Sequence, residues 1–342
     1  MSSLAPGHIL QGASWDYRIL NPLNGDNTHT STVLKAEIIS RGTERVSSAP
    51  QWAVIKIAPP GDANAMENMN RERQTYRLPG VASSECFRRM YDVIDPSTIA
   101  LEWMDTTLAE VKYKPDTRTY LLILSLLKAV LASCITLESY SYYKPANILL
   151  SGIETGRITA KVADLGLGEQ AAIHGKHFIN MPKVVPIGNL FNAQPYGMRA
   201  PEVFLGHACS AKSQVWAVAA MLLCWIKPGV LGVWDSPHPL LNEAWSMAKI
   251  KRLFPLWNLP GPDKVERHSL KAAVESAVCL SKEVPELQAI SAFDDEFQKV
   301  EIPQQLKDIL RFMLVADPSK RPSASSVLVS SELQALANLV NI

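Results

Sequence analysis

"YSYYKPANILL", Tyr140 to Leu150, sets a short polar cluster directly ahead of an apolar run. Lys144 and Asn147 are the groups in it that can carry chemistry. Seventeen residues after Asn147, Asp164 lies in "KVADLGLG", behind a short strand and ahead of Gly166. An amide oxygen and a carboxylate are hard ligands, a pair suited to a phosphate-bound Mg²⁺. The plainer alternative for Asp164 is an Asx turn at a strand end.

Two further charged residues stand out upstream. Lys56 sits inside "AVIKIA", a buried-strand pattern in which a lone lysine is out of place. Such a side chain either snorkels to the surface or aims its ammonium at a fixed anion. Glu72, sixteen residues on, lies in the helical stretch "NRERQTYRL" and by itself reads as a solvated helix charge.

Composition narrows the class. A chain of 342 residues can form one large domain or two lobes that share a cleft. Hydrophobic residues make up 47% and charged residues 20%, which argues against disorder. A formal net charge of +1 makes no case for a nucleic-acid or membrane-surface partner. The cysteines, Cys86, Cys134, Cys209, Cys224 and Cys279, are scattered without metal-ligand spacing. They predict reduced, mostly buried thiols in a cytoplasmic or nuclear protein. The opening "MSSLAPGHILQG" has neither a basic start nor an apolar run, so no signal peptide is expected. "VWAVAAMLLCWI", Val215 to Ile226, is shorter than the roughly 20 residues a bilayer span needs. It predicts instead a helix buried on every face.

From Tyr17 to Ile57, short β-branched runs alternate with turn signals, which predicts antiparallel strands and hairpins. "NAMENMNRERQTYRLPG" predicts a helix stopped by Pro79-Gly80, and "FRRMYDVID" and "TIALEWM" predict two more strands. After Asp105 the pattern is mainly helical, with "RTYLLILSLLKAVLASCITL" the clearest long helix. The expected class is therefore α+β with two lobes and a cleft. The expected divisions are an N-terminal extension at 1–16, a strand-rich lobe at 17–101 and a helical lobe at 102–342. The hinge falls at about 102–106.

The order of the motifs adds what none carries alone. Lys56, Glu72, "LEWM" (Leu101 to Met104), "KPANILL", "DLG", "RAPE" (Arg199 to Glu202), "VWAVAAML" and "DPSKRPSA" follow one another as in eukaryotic protein kinases, near that family's spacing. The chain resembles that family over about residues 17–335. "EAWSMAKIKRLFPLWNLPGP" and "NAQPYGMRAPEVFLG" loosely resemble the branch containing the cyclin-dependent and serine/arginine-rich-protein kinases. The resemblance implies a bilobal kinase-like fold with ATP and Mg²⁺ in the cleft. It implies nucleotide contacts from Val33, Lys56, Glu72, Glu102, Met104, Lys144, Asn147 and Asp164, with Asn147 and Asp164 as metal ligands.

The departures from the family fall together. "LNGDNTHTSTV" holds one glycine, Gly25, where the family uses three to bring backbone N–H groups onto phosphate. The family's His, Arg and catalytic Asp fall on Tyr140, Ser141 and Tyr142. Tyrosine, with an ordinary pKa of about 10, is neutral at pH 7 and does not replace a carboxylate base. The connection from Leu137 to Lys144 is short for the family, and Glu138 is the nearby carboxylate that could substitute. The Asp that braces the catalytic loop falls on Gln214, and the activation-segment Thr falls on Pro195.

The groups serving nucleotide and metal are retained, and those serving transfer to a protein hydroxyl are not. The leading reading is a pseudokinase that binds ATP and Mg²⁺ and serves an unidentified protein partner as scaffold or allosteric regulator. The alternative is an active, atypical Ser/Thr kinase acting on a protein substrate. A third possibility is a decayed chain without stable function.

Overall fold

The computed structural model describes residues 4–23, 31–40, 50–137, 143–167, 194–261, 265 and 268–340. Period-two alternation decides which way its first strands face. Strands β1 (Ile9–Gln11), β2 (Asp16–Pro22), β3 (Thr32–Ile39), β4 (Trp52–Ile57), β5 (Met90–Asp95) and β6 (Thr98–Glu102) form one antiparallel sheet in the order β1-β2-β3-β4-β6-β5. Ala53 and Ile55 of β4 turn to one face, where Tyr17, Ile19, Leu34, Ala36 and Ala100 complete a small core. Val54 turns to the other face and joins the main core. By the same alternation Lys56 shares the face of Val54, directly opposite Val33 on β3 and Ile99 on β6. The sheet starts earlier than the sequence pattern suggests, because β1 lies inside the expected N-terminal extension and pairs with β2.

Helix α1 (Ala63–Arg77) packs beneath that second face. Asp62 caps it by accepting from the Ala65 N–H at 2.9 Å. Its buried stripe of Ala65, Met69, Glu72 and Tyr76 follows helical spacing. A carboxylate inside an apolar stripe has to find a cation, and the site below supplies one. Pro79 ends α1 as expected and also opens a single-turn helix, α2 (Pro79–Ala82).

From Thr106 on, the chain is mainly helical, with a small three-stranded sheet of β7 (Thr106–Thr107), β8 (Ile148–Ser151) and β9 (Thr159–Val162) beside the chain that leaves β6. Helices α3 (Thr117–Thr136), α4 (Pro201–Phe204) and α5 (Ala211–Ile226) come first. They are followed by α6 (Asn242–Leu253), α7 (His268–Glu283), α8 (Pro285–Gln288), α9 (Phe293–Gln298), α10 (Gln304–Met313), α11 (Ala324–Leu328) and α12 (Ser331–Val340). As its sequence predicts, α5 is buried on every side, with each residue from Ser213 to Leu223 in the interior. Among the described residues one helix, α3, is long and apolar enough to cross a membrane by length and composition. Its Leu122, Leu126, Val130 and Cys134 are buried in the main core. The thiols of Cys86 and Cys134 are buried, those of Cys209 and Cys224 half-buried, and that of Cys279 exposed; all are free.

Two ion-paired carboxylates hold the helices together. Glu202 on α4 takes a two-pronged contact from Arg321, Nη1 to Oε1 at 2.7 Å and Nη2 to Oε2 at 2.9 Å, and accepts from the Ser213 hydroxyl at 2.7 Å. Glu296 on α9 pairs with Lys227 and Lys299 and accepts the Ser291 N–H at 2.7 Å. Burial pushes both carboxyl groups upward, but the bonds they receive outweigh it. Glu202 ends below its ordinary range and Glu296 falls to about 2 from 4.5. A carboxylate whose folded pKa is depressed adds stability above its unfolded value and loses it as pH falls toward the folded one. Melting temperature should therefore be nearly flat from pH 7 to 5 and fall steeply below about 4.5. Glu296→Gln should flatten part of that fall in a pH series of thermal melts, and an unchanged slope would contradict the assignment.

Candidate functional site

Three elements bring one cation and two carboxylates together where the large sheet meets α1. Lys56 Nζ on β4 lies 2.7 Å from Glu72 Oε2 on α1 and 3.1 Å from Asp164 Oδ1 just after β9. The three side chains are 14%, 2% and 16% exposed, so water screens them little. Burial alone would lower the lysine's pKa, but the two carboxylates overcome it and raise the value, keeping the ammonium charged. One positive and two negative charges leave the trio at a net −1, a setting that favours a further cation.

Asp164 holds a left-handed backbone, φ 60°, which aspartate tolerates better than most residues. Gly166, two residues on, runs tight against α1. A Cβ there would lie 3.1 Å from the Asn68 carbonyl oxygen and 3.6 Å from Glu72 Cβ. The glycine thus lets the segment carrying Asp164 approach the helix turn carrying Glu72. Asn147 ends a 3₁₀ turn, Pro145–Asn147, and its carbonyl accepts the Ala163 N–H at 2.9 Å. This bond sets the buried Asn147 beside Asp164, the adjacency that their sequence spacing suggests. Lys144 caps the same turn and is half-buried.

Below the strand end, Met104, Leu149 and Ala163 form a small buried apolar cluster immediately ahead of Asp164. Val33 faces the same side as Lys56 and packs on the main core. The Met104 main-chain N–H donates to no group among the described residues.

Glu102 has a role that its place in the sequence did not reveal. Both carboxylate oxygens accept from Lys161 Nζ on β9, each at 2.8 Å, and Oε2 also accepts the Arg89 N–H at 3.0 Å. The Glu102 carbonyl accepts from Arg88 Nε at 2.7 Å. The Glu102 side chain is thus committed to tying β6 to β9, and only the second lone pair of its carbonyl is left for a ligand.

Gln214 on α5, the residue expected where the family has a bracing carboxylate, is fully buried and donates from Nε2 to the Leu137 carbonyl at 3.1 Å. A glutamine can donate to the carbonyl of the incoming chain; a carboxylate in its place could only accept. Tyr143 is buried, and its hydroxyl bonds with Ser133 at 3.0 Å and Cys134 at 3.3 Å on α3. Pro195 accepts the Met198 N–H in a tight turn. Tyr140, Ser141, Tyr142, Glu138 and Gly25, on which the departures from the family turn, lie outside the described residues.

No family model matches the chain, and no curated protein does. The assignment of a function therefore rests on the chemistry of these side chains.

Of two further residues that build this region, one is open to the same argument as Lys56. Lys161 is also a lone cation on an apolar strand, "AKVA", and it too proves to be held by a carboxylate. Arg88 in "FRRM" carried no such signal, since neighbouring arginines at a strand start usually point to water.

A cavity of about 750 Å³ lies elsewhere, between the end of α6, the segment before α9 and the loop after α10. Its walls are mainly apolar, with Glu202 and Arg311 among its charged members. Its Arg311 pairs with Asp294 and Asp308, but all three side chains are open to solvent, unlike the buried trio at Lys56.

Proposed function

We propose that the chain is a pseudokinase: a bilobal protein-kinase-like domain that holds ATP and Mg²⁺ and serves a protein partner as scaffold or allosteric regulator. The observation that carries this reading is the buried Lys56 ammonium held between Glu72 and Asp164, with Asn147 alongside. In that arrangement a helix carboxylate fixes the lysine for phosphate, while an aspartate and an amide oxygen are the ligand types a hard cation takes.

The residues present fit the group. Asp164 and Asn147 would hold Mg²⁺ and Lys56 the phosphates, with Lys144 close by. Val33 above and Met104 and Leu149 below offer apolar contact for a flat base, and the unbonded Met104 N–H offers it a donor. The Mg²⁺ of the complex would set a divalent cation beside a trio that is net negative. Glu72 acts through Lys56, and Glu102 contributes only main chain. No carboxylate stands at residues 140–142 to take a proton from a substrate hydroxyl, a role worth about 10²–10⁴-fold. Cytoplasm or nucleus is the setting that reduced thiols suit.

Thermal unfolding with and without ATP·Mg²⁺ tests the reading. Saturation at about 100 times Kd should stabilise the fold by about 2.7 kcal/mol. That raises the melting temperature by several degrees. Asp164→Asn, which keeps the left-handed backbone accessible while removing the charge, should abolish the rise. No rise at millimolar nucleotide would overturn the proposal. Labelled γ-phosphate should not pass to serine-rich or basic protein substrates. Transfer that Asp164→Asn abolishes would replace the proposal with an active Ser/Thr kinase.

A further inference from the structure

Behind the end of α1 lies a second cavity, of about 320 Å³, whose chemistry the nucleotide reading does not use. Its walls come from the β1–β2 turn (Ser14, Trp15), the last turn of α1 (Tyr76), α2 (Val81) and the segment from Phe87 to Tyr91. That volume is at the lower end of the roughly 300–1,000 Å³ typical of small-molecule sites, room for one or two rings.

The cavity has one apolar side and one cationic side. Val81 and Phe87 are 3% and 1% exposed, and Trp15 and Tyr91 meet edge to face with centroids 5.4 Å apart. The lining also holds Arg88, a half-buried guanidinium with no carboxylate within 4 Å among the described residues. Its Nε is spent on the Glu102 carbonyl, and its Nη groups donate to nothing described. The nearest acids, Glu72 and Glu102, are each bonded to a lysine. Among the described residues, the Arg89 guanidinium at the rim pairs only with Glu85, at 3.7 Å. Tyr76, 4% exposed, has a hydroxyl with no hydrogen-bond partner and lies within electrostatic reach of Arg88.

A cation taken out of water without a counter-charge is costly, and so is a buried donor left unbonded. A planar anion would relieve both. We propose that this cavity binds a small aromatic carboxylate, its carboxylate on Arg88 and Arg89 and its ring against Trp15, Phe87 and Tyr91. Burial lowers the Arg88 pKa, consistent with a guanidinium that lacks an anion. The site shares with the nucleotide cleft only the Glu102 carbonyl, and its ligand needs no nucleotide to bind, so the two readings stand or fall separately.

The test is calorimetric titration of the full chain with naphthalene-1-carboxylate and its neutral isostere naphthalene-1-carboxamide. The carboxylate should bind saturably with one site per chain, and the carboxamide at least about tenfold more weakly, an expected loss for a charge-assisted pair. Arg88→Gln, which keeps a side-chain N–H for the Glu102 carbonyl, should weaken carboxylate binding by a similar factor. Its fold is checked by circular dichroism. Lack of saturable binding to the wild type, or equal binding of the two ligands, would overturn the proposal. So would undiminished binding to folded Arg88→Gln. If that variant does not fold, the comparison of the two ligands on the wild type decides alone.

Discussion

Arg321→Ala is expected to cost about 3–5 kcal/mol of folding stability, because it strands a buried carboxylate. Arg321 is 1% exposed, and besides Glu202 its guanidinium donates to the carbonyls of Val315 at 2.8 Å and Lys212 at 3.0 Å. It also lies over the Trp216 ring, 5.2 Å from the centroid. Removing it leaves Glu202 with the Ser213 hydroxyl and main-chain carbonyls without donors. Against a total stability of about 5–15 kcal/mol, such a loss should move the urea midpoint far down and leave part of the population unfolded at 37 °C. Replacing both partners by methionine should recover much of the loss, since a buried ion pair contributes little net over apolar packing. A single variant within 1 kcal/mol of wild type would mean that the pair does not bind α4 to the chain's end.

A larger effect is expected of Ala219→Asp. Ala219 is fully buried at the middle of α5, whose neighbours on both sides are also fully buried, so a carboxylate there has no route to water. Isolated burial of that charge costs several kcal/mol even after relaxation, and protonation of the acid only partly offsets it. The added volume also overpacks a filled interior. The variant should be insoluble, or should keep helical far-UV ellipticity while losing its near-UV signal and cooperative melt. Ala219→Ser, smaller and able to bond back to the helix carbonyl, should remain folded with a modest loss. Cooperative wild-type melting of Ala219→Asp would contradict a central position for α5.

What the sequence made legible depended on how local the cause was. The run from Val215 to Ile226 is apolar at every position, so helix and burial followed from its composition, and α5 has both. Lys56 was readable because a charge on an apolar strand must be explained, whereas Glu72 by itself reads as a solvated helix charge and is instead buried against the Lys56 ammonium. β1 and β7 were not readable: strands of three and two residues are too short for alternation to register. The Glu202–Arg321 contact joins residues 119 apart, a distance across which periodicity says nothing about pairing. Glu102 was placed by its position in a motif, which says nothing of the lysine that holds its side chain. Gln214 was read as the loss of an acceptor, and only the geometry of Leu137 makes it a donor.

The Glu102–Lys161 bond has a mechanical consequence. It sits where β6 gives way to the chain that enters the small sheet, and the Asp105 N–H to Leu150 carbonyl bond, at 3.0 Å, lies close by. For a rotation about that point, displacement grows with distance from the axis, so a contact near the pivot stretches little while far residues move ångströms. Sliding gives no such relief, because it displaces every cross-link equally. A cross-link so placed would resist sliding of β6 along β9 more than rotation about their contact.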